Sequence, residues 1–290
     1  MVDWINTLIQ GVLVGGLYSL FATGLALSFG VMRMINIAHG DFAILAAFAA
    51  IAVVEPLGLN PFLVMLVIVP LMGAFGYVLQ RLVLNRTLGQ DILPPLLVTF
   101  GLAIIIQNVL LQVFSADTRS LNVGELGTAS LSLGGNVAVG ILPLIILAVA
   151  LAVLGGLQWL FSSTSLGRAF RAASDDREAA QLMGINNRHI YGLAMALAMA
   201  IVAIAGVFLA IRANISPTEG PARLIYAFEA VIIGGLGSLW GTLAGGMVLG
   251  VAQAIGLKLN PGWGILAGHL AFLAVLVVRP NGLFPRTRDR

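Results

Sequence analysis

Long apolar stretches separated by short polar connections run through almost the whole chain. Most of them come close to the roughly 20 residues that a helix needs to cross the hydrocarbon core of a bilayer. The pattern therefore predicts an all-α, polytopic membrane protein with about eight or nine transmembrane helices, some of them short or broken. The predicted apolar segments, in chain order, are 5–31, 35–54, 61–79, 92–114, 137–161, 190–211, 225–236, 241–257 and 263–278.

The seventh of these segments, 225–236, is too short to cross a bilayer, because as a helix it spans only about 18 Å. It runs into the glycine-rich stretch 234–238, Gly-Gly-Leu-Gly-Ser. Such a stretch is typical either of a broken helix whose unwound backbone lines a cavity, or of helices that pack closely without binding a ligand. Gly234 and Gly235 are therefore candidates for lining a pathway. The number of spans depends on whether this segment crosses.

The densest run of charge lies in the loop 162–189, between two apolar segments. Four consecutive charged residues, 175–178, place this loop in water. We predict that Asp175 caps the N-terminus of a helix of about two turns, since Glu178 follows three residues later. Gly184 is predicted to end that helix. A short capped helix on a membrane domain suggests a surface that docks onto another protein.

The basic residues are shared unevenly between the two sides of the predicted bundle. When the loop 162–189 is placed inside, most arginines fall on the same side: Arg33, Arg81, Arg86, Arg279, Arg286, Arg288 and Arg290. Fewer basic residues fall outside: Arg119, Arg212, Arg223 and Lys258. Because inner loops carry the excess of basic residues, we expect the N-terminus outside and the C-terminus inside. The polar connections 115–136 and 212–223 are then expected outside.

Composition agrees with this class of protein and limits the number of domains. Hydrophobic residues make up 59% of the sequence and charged residues 9%, against about 25% charged residues in soluble domains. No polar stretch is long enough to fold alone, so we expect residues 1–290 to form a single transmembrane domain. The net charge of +3 is scattered along the loop ends, which does not indicate nucleic-acid binding.

The sequence offers little for enzyme or cofactor chemistry. It has no cysteine, and its three histidines lie far apart, so we expect neither a disulfide nor a metal site. No nucleophile–base spacing indicates an intramembrane enzyme. The phosphate-binding motif G-x-x-x-x-G-K-[ST] does not occur. We therefore expect no cofactor, no enzymatic activity in this chain, and ATP hydrolysis on a separate ATPase.

Three polar residues near the start of the second apolar segment are candidates for lining a translocation pathway: Asn36, His39 and Asp41. Counting back from Glu55, a full-length span must begin near Ile35, which draws these side chains into the membrane. An Asp at the centre of a span costs about 2.5–3.5 kcal/mol, so such groups tend to face a pathway or other helices. The alternative is an interfacial helix start, in which Asn36 or Asp41 caps backbone amides.

Glu229 is a further pathway candidate, since it lies in the short apolar segment before the glycine-rich stretch. A buried carboxylate is expensive unless it faces a translocation route or meets a cation. Along a route, it would favour a substrate's ammonium or amide hydrogens over bare anions. As a structural group, it would instead pair with Arg212 or Arg223.

Several sequence blocks resemble the permease subunits of ATP-binding-cassette (ABC) importers. In the charged loop, 178–184 reads Glu-Ala-Ala-x-x-x-Gly, similar to the EAA motif of these permeases. The Leu-Pro that follows this motif in the maltose-transporter type is missing. Five blocks match the branched-chain amino-acid permeases of the LivH type, in order along the chain: 34–41 (MINIAHGD), 167–172 (GRAFRA), 184–186 (GIN), 234–238 (GGLGS) and 279–284 (RPNGLF).

The resemblance implies a permease subunit in the cell inner (plasma) membrane that imports branched-chain or related small amino acids. The implied partners are a second homologous permease, two ATPase subunits and a periplasmic substrate-binding protein. The residues implied to couple to the ATPase lie in the charged loop: Arg171, Asp175, Asp176, Glu178, Ala179, Ala180 and Gly184. Two alternatives remain open at this point, a same-family importer of urea, amides or small carboxylates and a secondary transporter that works alone.

Overall fold

The computed structural model describes residues 2–89, 91–132 and 138–284. Helices cover most of these residues: α1 Val2–Met32, α2 His39–Leu57, α3 Pro61–Leu82, α4 Leu93–Phe114, α5 Ile141–Ser163, α6 Ser165–Asp175, α7 Arg177–Leu182, α8 Asn187–Arg212, α9 Gly220–Gly234, α10 Leu239–Leu259 and α11 Gly264–Val278. Short 3-10 helices cover Leu84–Arg86 and Gly124–Gly127. A small antiparallel hairpin pairs β1, Ser130–Ser132, with β2, Ala138–Gly140.

The predicted all-α, polytopic architecture is confirmed. In the described part of the chain, α1 to α5, α8 and α10 are long and apolar enough to cross a membrane. Two further helices, α9 and α11, are shorter, with 15 residues each, and α11 is apolar. The predicted break after the seventh apolar segment is also present, since α9 ends at Gly234 and α10 begins at Leu239. Gly235 lies in this break with a φ angle of 102°, a backbone conformation that suits glycine because it has no Cβ.

The second helix differs from the prediction at both ends. It begins at His39 rather than near Ile35, and the residues between α1 and α2 are not helical, with Arg33 at a positive φ angle of 51°. At its other end, the helix continues through Pro56 to Leu57. A proline in the last turn removes a single backbone hydrogen bond, which the rest of the helix tolerates.

The charged loop contains more helix than the sequence predicted, because α6 precedes the expected short helix. Thr164 caps α6, and its hydroxyl oxygen accepts a hydrogen bond from the N–H of Gly167 at 3.0 Å. Phe170 and Ala173 are buried, while the charged side chain of Arg168 is exposed. This amphipathic helix therefore lies against its own unit instead of standing free in water.

The described helices belong to two compact units that alternate along the sequence. Unit 1 comprises Met1–Thr23, Asn122–Leu154 and Ile225–Arg290, and unit 2 comprises Gly24–Leu121 and Gly155–Leu224. Three helices, α1, α5 and α9, contribute residues to both units. The single transmembrane domain expected over residues 1–290 stays a prediction.

Unit 2 is built around α8, which packs against both α2 and α3. The contact with α2 is especially close at Gly206, where an added Cβ would overlap the backbone oxygen of Ala43. Farther along α8, the ring of Phe208 meets that of Phe62 edge-on, with centroids 6.3 Å apart. Small residues thus let α2 and α8 touch through their backbones, as is common between membrane helices.

Unit 1 joins the first part of α1 to α10, and it also holds the C-terminal segment. That segment returns to the break after α9, where the N–H groups of Leu283 and Phe284 donate to the carbonyls of Ile233 (2.8 Å) and Gly234 (3.0 Å). Two of the blocks that carry the family resemblance, 234–238 and 279–284, therefore meet in space. The basic tail predicted at Arg286, Arg288 and Arg290 lies outside the described residues.

Candidate functional site

The short helix predicted in the charged loop is present as α7, with one correction at its start. Asp176, not Asp175, is the N-cap, and its Oδ1 accepts hydrogen bonds from the N–H groups of Glu178 and Ala179, both at 2.9 Å. Asp175 is the last residue of α6. The backbone is extended at Asp176, so the cap falls where the chain changes direction between the two helices.

Gly184 ends α7 as predicted. Its φ angle is 84°, and its N–H donates to the carbonyl of Gln181 at 3.0 Å. The N–H of Ile185 donates to the carbonyl of Ala180, also at 3.0 Å. This pair of bonds is the Schellman arrangement, which satisfies the last carbonyls of a helix. Both ends of α7 are therefore fixed by hydrogen bonds.

The outer surface of α7 joins charge to exposed apolar groups. Ala180 is buried, whereas Glu178 and Ala179 are exposed, and Leu182 is 88% exposed. An apolar side chain this open at the end of a charged helix suits a protein contact. Arg171 does not belong to this surface, because its guanidinium is turned inward and donates to the backbone oxygen of Phe161.

The inner surface of α7 is attached to α8. The side-chain amide of Asn187 donates to the backbone oxygen of Arg177 at 2.7 Å. The guanidinium of Arg177 in turn lies over the ring of Tyr191, 5.4 Å from its centroid. Sequence reasoning missed Asn187, since one amide near a helix start gives no signal beyond a possible cap.

Residues predicted on the same side as the charged loop do meet within unit 2. A cavity of about 330 Å³ is lined by the end of α1, the start of α4, the junction of α6 and α7, and Tyr191. Its charged lining residues are Arg33, Asp91, Asp175 and Arg177. The helix ends that were expected on the side of the loop 162–189 are thus neighbours in this unit.

Parts of the two polar connections predicted on the opposite side also meet within unit 2. Arg119 and Ile215 exchange backbone hydrogen bonds of 2.9 and 2.8 Å. The Arg119 side chain lies 2.6 Å from the carboxylate of Glu55, at the end of α2. Residues 133–136 of the first connection lie outside the described part of the chain.

The three polar residues near α2 are all deeply buried in unit 2, each 1% exposed: Asn36, His39 and Asp41. They reach this depth along the non-helical stretch before α2, and not in a helix that starts near Ile35. The N–H of Ile37 donates to the hydroxyl of Thr99, about 9 Å along α4 from its first residue. Ala38, and not Asn36 or Asp41, is the N-cap residue of α2, and it makes no side-chain cap bond.

Asp41 lies where α4 and the beginning of α9 come together. Its Oδ1 accepts a hydrogen bond from Nε2 of Gln107 at 2.8 Å. An added Cβ at Gly220, the first residue of α9, would overlap this carboxylate. Oδ2 of Asp41 and Oδ1 of Asn36 are buried without a hydrogen-bond partner among the described residues. A carboxylate at a helix N-terminus is favourable, but two unmet oxygen acceptors remain.

Glu229 is 5% exposed, and its partner in unit 1 is His269 of α11. The alternative pairing with Arg223 is wrong, because that arginine bonds to Glu219 four residues earlier. The sequence did not single out His269, which was considered only as a possible metal ligand. Its position in an apolar segment was the available signal, since an ionisable group in a span needs a partner.

A model of the family of branched-chain amino acid transport system permease components matches residues 7–278. The chain belongs to this permease family. BraD of Pseudomonas aeruginosa, a high-affinity branched-chain amino acid transport system permease protein, is 31% identical over 98% of this chain and 96% of its own length. LivH of Escherichia coli K12, described in the same words, is 25% identical over the same shares of the two chains. The resemblance to LivH-type permeases is therefore confirmed.

A permease with another substrate in its name also matches this chain. The fructose import permease protein FrcC of Rhizobium meliloti is 29% identical over 89% of this chain and 71% of its own length. Similarity alone therefore gives the permease a role in transport without giving it a substrate.

In this permease, the candidate pathway residues form two groups. Asn36, His39 and Asp41 lie together in unit 2, and Glu229 lies in unit 1 about one and a half helical turns before Gly234, the last residue of α9. The two glycines make close backbone contacts, Gly234 with Gly241 and Gly235 with the C-terminal segment. Those contacts fit the close-packing interpretation, and a role of either glycine in the pathway stays a prediction.

Replacing the cap of α7 should loosen this helix of the permease. Asp176→Ala removes the acceptor of two N–H groups and should destabilise α7 by about 0.5–2 kcal/mol. We expect faster hydrogen exchange at residues 177–182, measured by mass spectrometry on the purified protein. Asp175→Ala is the matched control, since it removes the neighbouring carboxylate and leaves the cap in place. Equal exchange in the two variants would show that Asp176 does not hold the helix.

Proposed function

We propose that this protein is the permease subunit of an ABC importer and forms the translocation path for branched-chain or related small amino acids. The observation that carries the proposal is the family match over residues 7–278. The doubly fixed helix α7 supports the ABC assignment, because it offers exposed Leu182 beside Glu178 as a dock for an ATPase.

The proposal includes three kinds of partner in the inner membrane and on its two sides. Two ATPase subunits bind on the side of α7, and a second homologous permease completes the membrane part. A periplasmic binding protein docks on the other side, where Arg119 and Ile215 join the two polar connections. The excess of arginine on the side of α7 supports placing that side in the cytoplasm.

The proposed path uses the buried polar groups that the helices leave unmet. In unit 2, Asn36 and Asp41 present oxygen acceptors without a partner among the described residues. Glu229 does the same in unit 1. Such groups are costly in a membrane unless they meet water, another protein or a passing solute. A path lined by acceptors favours substrates that carry an ammonium group.

Reconstitution into liposomes tests the proposed function. We expect the chain, assembled with its co-purifying ATPase and permease partners and given a binding protein, to take up radiolabelled leucine only when ATP is supplied. The chain alone, under a proton or sodium gradient, should take up none. Gradient-driven uptake by the chain alone would overturn the proposal in favour of a secondary transporter. ATP-driven uptake of urea but not of leucine would move it to the urea and amide importers.

Single cysteines test the proposed orientation, and the chain has no cysteine of its own to interfere. Ser120 and Thr218 are exposed in the two outer connections, and Met183 is exposed at the end of α7. In intact cells, an impermeant maleimide should label cysteines at Ser120 and Thr218 at once, and a cysteine at Met183 only after lysis. The reverse order of labelling would invert the topology.

A further inference from the structure

Five polar or aromatic side chains form a continuous chain of contacts through the apolar interior of unit 1. The hydroxyl of Tyr18 donates to Oε1 of Gln253 at 2.5 Å. The Tyr18 ring lies 5.2 Å from that of Tyr226, and Tyr226 stacks on His269 with centroids 6.4 Å apart and planes at 19°. Nδ1 of His269 contacts Oε1 of Glu229. The chain therefore runs from Gln253 at one end to Glu229 at the other.

Each end of this chain carries a buried polar atom that lacks a hydrogen-bond partner among the described residues. These atoms are Nε2 of Gln253 and Oε2 of Glu229. The two residues are only 9% and 5% exposed. Burying such groups unpaired is costly, above all for a charged one. The pair that Glu229 forms with His269 gives one carboxylate oxygen a hydrogen-bond partner. The second oxygen and the amide nitrogen of Gln253 still need one.

The two unmet atoms have opposite hydrogen-bonding character. Oε2 of Glu229 accepts hydrogen bonds and, when ionised, attracts a cation. Nε2 of Gln253 only donates, and so suits a carboxylate. A zwitterionic amino acid carries both complementary groups, an ammonium and a carboxylate. Urea and uncharged amides lack the ionic groups that would bind these ends most strongly.

The two unmet atoms are spaced so that an amino acid would contact them one after the other. Gly245 of α10 packs against Ala230 of α9, beside Glu229. Gln253 follows eight residues later on α10, about 12 Å farther along its axis. A small amino acid is shorter than that distance and would meet one end before the other. The rings of Tyr18 and Tyr226 lie between the ends and offer an apolar surface that also attracts cations.

The chain of side chains is open at its edge. The His269 side chain is 38% exposed, and Tyr18 and Tyr226 are half-buried. An ionisable ring that faces lipid is expensive, so this edge must face water or another protein instead. The two unmet atoms are themselves buried, so a solute meets the exposed ring of His269 first.

We infer that Tyr18, Tyr226, Glu229, Gln253 and His269 form a substrate-contact site for the head group of a small zwitterionic amino acid. Glu229 binds the ammonium group and Gln253 binds the carboxylate. His269 is a positioning residue that holds Glu229. The inference rests on the proposed function and adds to it the chemical basis by which this subunit selects its substrate.

Binding of radiolabelled leucine to the purified importer in nanodiscs, without the binding protein, tests the site. Glu229→Gln keeps the shape and removes the charge, and Gln253→Glu keeps the acceptor for Tyr18 and removes the donor. Each variant should weaken leucine binding at the altered end by about tenfold or more, the loss of one charge-assisted hydrogen bond, and leave binding at the other end unchanged. Thr23→Val is the matched control, because it removes a buried hydroxyl of unit 1 outside the site and should leave binding unchanged.

Competition with two analogues identifies which end is lost. Glu229→Gln should spare the binding of 4-methylpentanoate, which has no amino group. Gln253→Glu should spare leucinamide, which has no carboxylate. Equal weakening of leucine and both analogues in either variant would show a structural role and overturn the inference. Leucine binding at the wild-type level in both variants would overturn it as well.

Assembly of each variant is checked by size-exclusion chromatography. Because the two ends are tested by separate variants, the second variant still tests the site if the first folds poorly. ATP-driven leucine uptake by the wild-type importer, measured in parallel with the binding protein, reports on the proposed function. Normal wild-type uptake with unaffected variants rejects the site alone. A wild-type importer that neither binds nor takes up leucine rejects both the site and the proposed function.

Discussion

Leu182→Asp should abolish ATP-driven uptake while the permease still folds and enters the membrane. Leu182 is 88% exposed at the end of α7, so its replacement costs the fold little. In the proposed dock, however, the new carboxylate would be buried against an ATPase without a partner. Such a penalty amounts to several kcal/mol, and every 1.4 kcal/mol is about a tenfold loss of affinity. We expect uptake in proteoliposomes to fall by at least about tenfold.

Two further variants separate docking from folding at this surface. Leu182→Met keeps an apolar side chain of similar volume and should retain uptake. Glu178→Arg reverses the charge beside it, and should leave ATP hydrolysis uncoupled from uptake. Co-purification of the ATPase with each variant gives an independent measure of docking. Normal uptake and normal co-purification in Leu182→Asp would place the dock elsewhere.

Gly206→Ala should be a strongly damaging small substitution in unit 2. The added methyl group would overlap the backbone oxygen of Ala43, and a helix backbone cannot move aside as a side chain can. Overpacking of this kind costs about 1–3 kcal/mol and occasionally more. We expect a sharp drop in the yield of folded protein and a thermal unfolding midpoint several degrees lower.

Gly101→Ala is the matched control for this prediction. Gly101 lies within α4, and no atom stands within 4 Å of the position that its Cβ would take. Alanine is the better helix former by about 1 kcal/mol, so this variant should be as stable as the wild type or more so. The packing argument fails if the two glycine variants unfold at the same temperature.

Periodicity and hydrophobicity could predict most of the helices, because a bilayer requires long apolar segments with internally bonded backbones. The break at Gly234 was also predictable, since glycine and segment length act locally. The start of α2 was not, because the residues before it are held by Thr99 of α4, far away in sequence. Segment length alone cannot reveal an extended stretch that enters a membrane domain beside a distant helix.

The candidate sites, like the helices, could be predicted from the sequence only where they depend on neighbouring residues. The cap and the end of α7 depend on neighbouring residues, so the sequence located them to within one position. Partners of buried charges depend on the tertiary fold. The pairing of Glu229 with His269 joins residues on separate helices, whereas Arg223, which is nearer in sequence, bonds to Glu219. Gln107, which binds Asp41, stayed hidden for the same reason.

The attachment of α7 to α8 has a mechanical consequence. Helix α7 is fixed at both ends, and the bond from Asn187 to Arg177 joins it to the first turn of α8. From there α8 runs as one helix to Gly206, where its backbone touches α2 two residues from Asp41. A displacement of α7 is therefore passed to α8, a single helix whose far half packs against α2 beside Asp41. Unit 2 thus connects the exposed helix α7 mechanically to the buried polar groups around Asp41.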